Sequence, residues 1–139
     1  MIDFFDIFLI EIKALPSAGD IYSQITSNKV TVTSIAFSPN GKTLAVGRKD
    51  GCVNVYSSQD LRQVYHAIAH SGMIRVIQYT SDGAILLTGG DDGKINAYDI
   101  IQRSKMALVH QFVGHCSWIL DIAVCPDGKR YVLLFVKIT

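Results

Sequence analysis

Four histidines, His66, His70, His110 and His115, with Cys116 beside the last, are the side chains of this sequence best suited to hold a metal ion. Imidazole and thiolate are ordinary zinc ligands, and a structural site needs four of them converging. Here His66 and His110 fall in segments that read as outer strands, and His70 and His115 in loops, so no set of four closes. The pair Asp91-Asp92 could serve acid–base chemistry, but it lies in a turn between strands. That position gives Asp92 a structural task and leaves Asp91 exposed. Cys125 could act as a nucleophile only beside a base; it precedes Pro126-Asp127-Gly128 in a turn and reads as a small buried apolar residue. Thr88-Gly-Gly-Asp-Asp-Gly93 is rich in glycine, yet no Lys-Ser/Thr ending and no helix follow it, so it is not a phosphate loop. The expectation is a protein with no catalytic residues, no cofactor and no metal.

Composition narrows the field further. The chain has 139 residues, the length of one domain with a modest core. Its 13 Lys and Arg nearly cancel its 12 Asp and Glu, which gives no electrostatic case for nucleic acid or an anionic membrane as a partner. Three cysteines, Cys52, Cys116 and Cys125, are an odd and sparse set that fits a reducing compartment with free buried thiols. The opening MIDFFDIFLIEI has acids at Asp3, Asp6 and Glu11 and no base before Lys13, which does not fit a signal peptide. It is also too short to span a bilayer, which takes about 20 apolar residues. It reads as a docking helix or an extra strand. Helix is favoured, because Phe5, Phe8, Leu9 and Ile12 share one helical face.

The elements that position these side chains are strands. Between His70 and Ile100 lie three short apolar runs, Ile74–Tyr79, Ile85–Gly89 and Lys94–Tyr98, separated by Ser81-Asp82-Gly83 and Asp91-Asp92-Gly93. Asp and Gly at those points predict hairpin turns. The pattern recurs: Gly41, Gly83 and Gly128 open equivalent turns and stand 42 and 45 residues apart. Val32–Phe37 falls on Ile74–Tyr79 and on Ile119–Val124, Thr43–Gly47 on Ile85–Gly89, and Cys52–Ser57 on Lys94–Asp99. Outer strands follow at Gln63–Ala67 and Met106–Val113, and Asp20–Ser27 occupies the outer-strand position of a preceding unit. Four antiparallel strands in about 42 residues is the signature of a β-propeller blade.

The same residues resemble WD40 repeats. Gly114-His115 matches that family's Gly-His pair, and His70 stands where the family places its His. Tyr98-Asp99 occupies the Trp-Asp position, and Tyr56-Ser57 is a weaker version of it. The resemblance implies a hydrogen-bonded tetrad in the middle unit, made of His70, Thr88, Asp92 and Tyr98, with Tyr98 replacing Trp. Such a network satisfies a half-buried carboxylate that would otherwise be costly. The first unit has Asn28 and Val46 at the His and hydroxyl positions. The third has His115, but LLFVKIT replaces the expected Ser/Thr, Gly and Asp. The expected fold is all-β: a partial WD40 propeller with two complete four-stranded blades, the start of a third, and one outer strand of a preceding blade. Residues 1–19 form a non-repeat segment and 20–139 the partial propeller, with repeats at about 28–69, 70–114 and 115–139. Since a closed propeller has at least four blades, the sequence reads as a truncated form, with open edges and a closing VLLFV that favour aggregation.

Gly114-His-Cys-Ser-Trp-Ile-Leu-Asp-Ile-Ala-Val-Cys-Pro-Asp127 is further similar to the small propeller subunits of the superkiller (SKI) complex, a family also found in the PAF elongation complex. Ile74-Arg-Val, Asp91-Asp92-Gly93 and Ala36-Phe-Ser-Pro-Asn-Gly-Lys42 are in keeping with it. The resemblance implies a scaffold whose partners are the SKI-complex helicase and TPR subunits and PAF-complex subunits, in cytoplasm and nucleus. The competing expectations are a generic WD40 adaptor, such as a ubiquitin-ligase substrate receptor, and a propeller hydrolase. The hydrolase has no convergent acid, base or nucleophile to support it. Trp118, the single Trp, starts an inner strand beside the loop end of its blade. It reads either as a core aromatic between blades or as a partner-binding residue, Trp being enriched in binding hot spots. Met73, Arg75, Asp91, Arg48 and Lys49 occupy rim positions around it.

Overall fold

The computed structural model describes residues 8–13, 21–27, 31–102, 105–113 and 117–135, and every element among them is a β-strand. The first pair is β1 (Phe8–Lys13) and β2 (Ile21–Ser27). Two four-stranded units follow: β3 (Val32–Phe37), β4 (Thr43–Arg48), β5 (Cys52–Ser57) and β6 (Gln63–Ile68), then β7 (Ile74–Tyr79), β8 (Ile85–Gly90), β9 (Ile95–Asp99) and β10 (Ala107–Phe112). The last pair is β11 (Ile119–Val124) and β12 (Tyr131–Phe135). Each sheet is an antiparallel meander in sequence order, so each four-stranded unit is a blade of the expected kind. The hairpin turns need residues that accept positive φ, and Gly83 (φ 72°) and Gly93 (φ 74°) supply it.

Of the two readings of the opening segment, the described residues take the extra strand and not the favoured helix. Phe8–Lys13 is a strand, paired antiparallel with β2 from Phe8 opposite Ser27 to Lys13 opposite Ile21. Hydrogen bonding to the neighbouring strand overrides the helical spacing of its apolar residues. Its register identifies it further. In the complete blades the third and fourth strands share a one-residue irregularity, at Val55/Tyr56 in one and at Leu108/His110 in the other. The β1–β2 pair carries the same slip at Ile12/Lys13. It is therefore the outer half of a blade, where the sequence had suggested a single outer strand. Asp20, Asn28, Gly114, His115 and Cys116, all used in the sequence reading, lie outside the described residues.

The inner strands carry a second repeated irregularity. Pairing skips Thr33 between Val32 and Ser34, Arg75 between Ile74 and Val76, and Leu120 between Ile119 and Asp121. A bulge of this kind breaks strict alternation. Ile74 and Ile77, three residues apart, consequently both pack toward the first blade, with Tyr79, Leu86 and Tyr98, against Ala45, Val53 and Val55. Ile119 and Ile122 likewise pack together on Val76, Leu87, Ile95 and Ala97 of the second blade. The core is thus a series of layers between neighbouring blades.

The layers interlock at two glycines. A Cβ on Gly47 would lie 2.6 Å from Ile74 Cγ2, and one on Gly89 would lie 2.6 Å from Ile119 Cγ2. Each glycine is a notch in the second strand of one blade that seats an isoleucine from the inner strand of the next. Ile74 and Ile119 are completely buried as a result, each worth about 2–3 kcal/mol of apolar burial. Gly89→Ala should destabilise the chain by about 1–3 kcal/mol. Ile119→Ala removes the Cγ2 that the new methyl would meet, so in a urea-denaturation double-mutant cycle the combined loss should be smaller than the sum of the two single losses. Strictly additive costs would show that the notch does not seat the side chain.

Candidate functional site

In the second blade, the chain entering β7 brings His70 over the end of β8. Its Nδ1 lies 2.9 and 3.1 Å from the two Asp92 carboxylate oxygens, and its Nε2 lies 2.8 Å from Thr88 Oγ1. Asp92 also accepts from the backbone N–H groups of Ser71 (3.3 Å) and Lys94 (3.1 Å), so the carboxylate is fully engaged. His70 and Thr88 are buried. The space for the ring depends on Gly90, where a Cβ would meet the imidazole at 2.7 Å. His70 also ties the blades together: the N–H groups of Ala69 and His70 both donate to the Gly51 carbonyl of the first blade at 3.0 Å.

Tyr98 does not complete this group as the tetrad reading required. Its hydroxyl accepts instead from Asn96 Nδ2 at 3.3 Å, and that amide also donates to the Ala69 carbonyl at 2.6 Å. Gln111 Nε2 donates to Asn96 Oδ1 at 2.8 Å from the outer strand. A phenol in the Trp position carries its polar group at the far end of the ring, where it meets Asn96 rather than Thr88. Burial pushes the Tyr98 hydroxyl above its ordinary pKa, against the Asn96 hydrogen bond, and the Asp92 charge adds to the rise.

The first blade repeats this second arrangement in place of the first. Asn54 is buried next to Tyr56, with its oxygen accepting from the Tyr56 hydroxyl (3.1 Å) and from Arg48 Nη1 (3.3 Å). Its nitrogen donates to the Val53 carbonyl (3.1 Å) and to His66 Nδ1 (2.6 Å). The Asn-Tyr network was missed in the sequence, although Asn54-Val-Tyr56 and Asn96-Ala-Tyr98 are 42 residues apart and would have disclosed it.

At the loop end of the blades the bulge points Arg75 out of the ladder. Its guanidinium pairs with Asp91 through Nε–Oδ1 and through Nη2–Oδ2 at 3.3 Å, and its Cζ lies 4.4 Å from the centre of the Trp118 ring. Asp91 is therefore a paired group and not the free surface acid expected from its turn. Its N–H donates to the Met73 carbonyl at 2.9 Å, which brings Met73 to the same rim. Trp118 is 48% exposed, with its ring on the surface. A half-exposed ion pair and a cation–π contact contribute about 1 kcal/mol or less each, so the cluster orders side chains more than it stabilises the fold.

The other two rim residues belong to the first blade. Arg48 pairs with Asp50 beside it. Burial pushes the Asp50 pKa up, but the Arg48 guanidinium and the Cys52 N–H outweigh it and hold the carboxyl below its usual value. Lys49 is exposed, with its N–H donating to the Thr31 carbonyl at 2.8 Å. No hydrogen bond or ion pair among the described residues joins Arg48 or Lys49 to the Arg75 cluster.

His66 and His110 stand on the outer strands β6 and β10, and no group of three or more His, Cys, Asp or Glu among the described residues could share a metal ion. Cys125 is half-buried and free, 3.7 Å from an Arg130 guanidinium nitrogen, and so less buried than its sequence suggested. At the opposite end of the two blades, Ser38, Thr43, Tyr65, Asp82 and Ile100 line a cleft of about 250 Å³. Asp82 is occupied there by the Thr80 hydroxyl and the Ala84 N–H, at 2.6 and 3.0 Å.

The repeated blade has counterparts in known proteins. The family model for the anaphase-promoting complex subunit 4 WD40 domain matches residues 16–81, and that for the WD domain, G-beta repeat, matches residues 106–134. The chain is built of WD40 repeats. It is 29% identical over 96 residues to WD repeat-containing protein SL1-17 of Schistosoma mansoni, which is 69% of this chain and 31% of that protein. It is 23% identical over 120 residues to apoptotic protease-activating factor 1 of Rattus norvegicus, covering 82% of this chain and 10% of that protein. The chain thus spans about a third of the first relative and a tenth of the second. A chain in the crystal structure of the mitotic checkpoint complex superposes with a TM-score of 0.76 over 85% of this chain and 35% of its own length. At 20% identity that likeness shows the fold alone, a partial WD40 propeller.

The two polar networks should separate on mutation. Thr88→Val and His70→Ala each strand buried partners and should cost about 1–3 kcal/mol. Tyr98→Phe removes one long hydrogen bond and should cost about 1 kcal/mol or less. Thermal denaturation of the three variants checks this, and an equal loss for Tyr98→Phe and Thr88→Val would restore the four-member network.

Proposed function

We propose that this WD40 chain is a non-catalytic scaffold of the SKI complex, serving exosome-linked 3′→5′ mRNA decay, and a subunit of the PAF complex in transcription elongation. The partners of this reading are the SKI-complex helicase and TPR subunits and PAF-complex subunits, met in cytoplasm and nucleus. The observation that carries the scaffold reading is the Trp118 ring, exposed on the rim and held by the Arg75–Asp91 pair. A flat aromatic surface fixed in advance loses little side-chain entropy when a partner covers it, which is what binding hot spots require. Met73 supplies adaptable apolar contact beside it, and Arg48 and Lys49 extend the rim with positive charge. The narrower assignment rests on the likeness of residues 114–127 to the small SKI propeller subunits. The match of residues 16–81 to the WD40 domain of anaphase-promoting complex subunit 4 favours a second reading, an adaptor in another multi-subunit assembly, such as a ubiquitin-ligase substrate receptor.

Affinity capture of the tagged chain from cells, followed by mass spectrometry, tests both. SKI or PAF subunits should be recovered with the natural chain and lost with Trp118→Ala or Arg75→Ala. Trp118 is half-exposed, so Trp118→Ala should change the unfolding free energy by no more than about 1 kcal/mol, and Arg75→Ala, which leaves the partly buried Asp91 without its partner, by about 1–2 kcal/mol. Recovery of ubiquitin-ligase scaffold subunits without any SKI or PAF subunit would replace the first reading with the second.

A further inference from the structure

The turns at the end of the blades away from Trp118 follow one plan. In each, a side-chain oxygen accepts from the backbone two residues on: Asn40 Oδ1 from the Lys42 N–H at 2.9 Å, Asp82 Oδ1 from the Ala84 N–H at 3.0 Å, and Asp127 Oδ1 from the Lys129 N–H at 2.9 Å. The two aspartates differ at the second oxygen. Asp127 Oδ2 accepts from Arg130 Nε at 3.2 Å and Arg130 Nη2 at 3.0 Å, so a guanidinium completes that turn. Asp82 Oδ1 accepts additionally from the Thr80 hydroxyl, but no donor among the described residues reaches its Oδ2, and none of their cations pairs with it. The second blade has Ile85 where Arg130 stands, since each carbonyl accepts from the N–H that opens its turn. The Thr80 hydroxyl and the Ala84 N–H hold the Asp82 carboxyl below its ordinary pKa, so it is ionised at neutral pH.

This carboxylate is the one charged group in the lining of the 250 Å³ cleft between the first and second blades. The remaining wall is partly apolar, with Val55 fully buried and Ile100 and Ile101 nearer the surface. Two contacts across the blades fix its shape. The Thr43 and Tyr79 hydroxyls meet at 3.1 Å, and the Tyr65 hydroxyl donates to the Gln102 carbonyl at 3.0 Å, which leaves the Tyr65 oxygen able to accept.

We propose that this cleft receives an arginine side chain of a partner protein, its guanidinium meeting Asp82 Oδ2 as Arg130 meets Asp127 Oδ2. The aliphatic stem of such a side chain suits Val55, Ile100 and Ile101, and its planar head is more weakly hydrated than an ammonium, which favours arginine over lysine in a half-apolar cleft. The cleft is smaller than the roughly 300–1,000 Å³ that encloses a whole small ligand, so it fits one side chain. A free amino acid would also bring a carboxylate, and the lining has no cation to meet it. An arginine within a polypeptide carries no such charge. The site is separate from the Trp118 rim and does not depend on which assembly the rim serves.

NMR titration of the ¹⁵N-labelled 139-residue chain with acetyl-Gly-Arg-Gly-amide tests this. The amides of Asp82, Gly83 and Ala84 should shift saturably. The same peptide with citrulline, which keeps the shape and loses the charge, should bind at least about tenfold more weakly, and the lysine peptide should also bind more weakly than the arginine one. Asp82→Asn keeps the Oδ1 acceptor of the turn, so its circular dichroism should be unchanged while arginine-peptide binding falls at least about tenfold. The citrulline comparison uses the natural chain and so holds whatever the variant does. Trp118→Ala should leave the titration unchanged, which separates this site from the rim. Absence of saturable shifts, equal binding of the citrulline peptide, or indifference to Asp82→Asn would each overturn the proposal. Free arginine binding as tightly as the peptide would reassign the cleft to a small molecule. Shifts that appear only after Arg103→Ala would assign it to an arginine of the same chain, and either result overturns the proposal as well.

Discussion

Two glycines, Gly47 and Gly89, set the spacing on which the arrangement of the blades depends. An isoleucine from the following blade lies where a side chain would otherwise be, so the sheets approach closely at their inner ends. Interiors packed at this density have two acceptable states, seated or separated, and little between. Neighbouring blades are therefore held at a fixed distance by a contact that involves no polar group. The bulge at each inner strand is the companion of this contact, because it turns Ile74 and Ile77 to the same side and so makes the seated isoleucine part of a continuous layer. Shape thus comes first, and the hydrogen-bond ladders fill in around it.

The buried polar groups divide the remaining task. His70, Asp92 and Thr88 pin the entering loop to the turn of its own blade, and the His70 and Ala69 N–H groups fasten that loop to Gly51 of the preceding one. Asn96 and Asn54 hold the third strand to the fourth through Gln111 and His66. All the buried side-chain nitrogen and oxygen atoms among the described residues have partners, so these networks specify position at little cost in unsatisfied groups. The first blade lacks the His-Thr pair and keeps only the Asn-Tyr arrangement. One repeat can lose the better-known network and still form its sheet, because the backbone ladder and the apolar layers remain.

Much of this was legible in the sequence because the determinants are local and repeated. Turn glycines at fixed intervals and apolar residues at fixed offsets gave the strands, their order and the four-stranded unit. The opening segment reads as a helix or an extra strand, since the spacing of Phe8, Leu9 and Ile12 suits a helical face, and only a strand partner at Ile21–Ser27 decides between the two. The role of Tyr98 was misjudged because a phenol and an indole place their polar atoms differently on the same backbone position. The link between Arg75 and Trp118 spans 43 positions and two blades, and depends on a bulge that apolar spacing alone does not announce. Asp91 changed from a free acid to a paired one for the same reason.

The bulge also separates two demands that usually conflict. Thr33, Arg75 and Leu120 occupy one structural position in three successive repeats, yet they are a hydroxyl, a cation and an aliphatic chain. A residue outside the ladder contributes little to strand pairing, so its identity differs among these three repeats while the sheet around it keeps the same form. Duplication of such a repeat copies the frame and leaves one blank letter per copy on the rim. A ring of these letters can be rewritten singly, which lets a common scaffold acquire new recognition without renegotiating its fold.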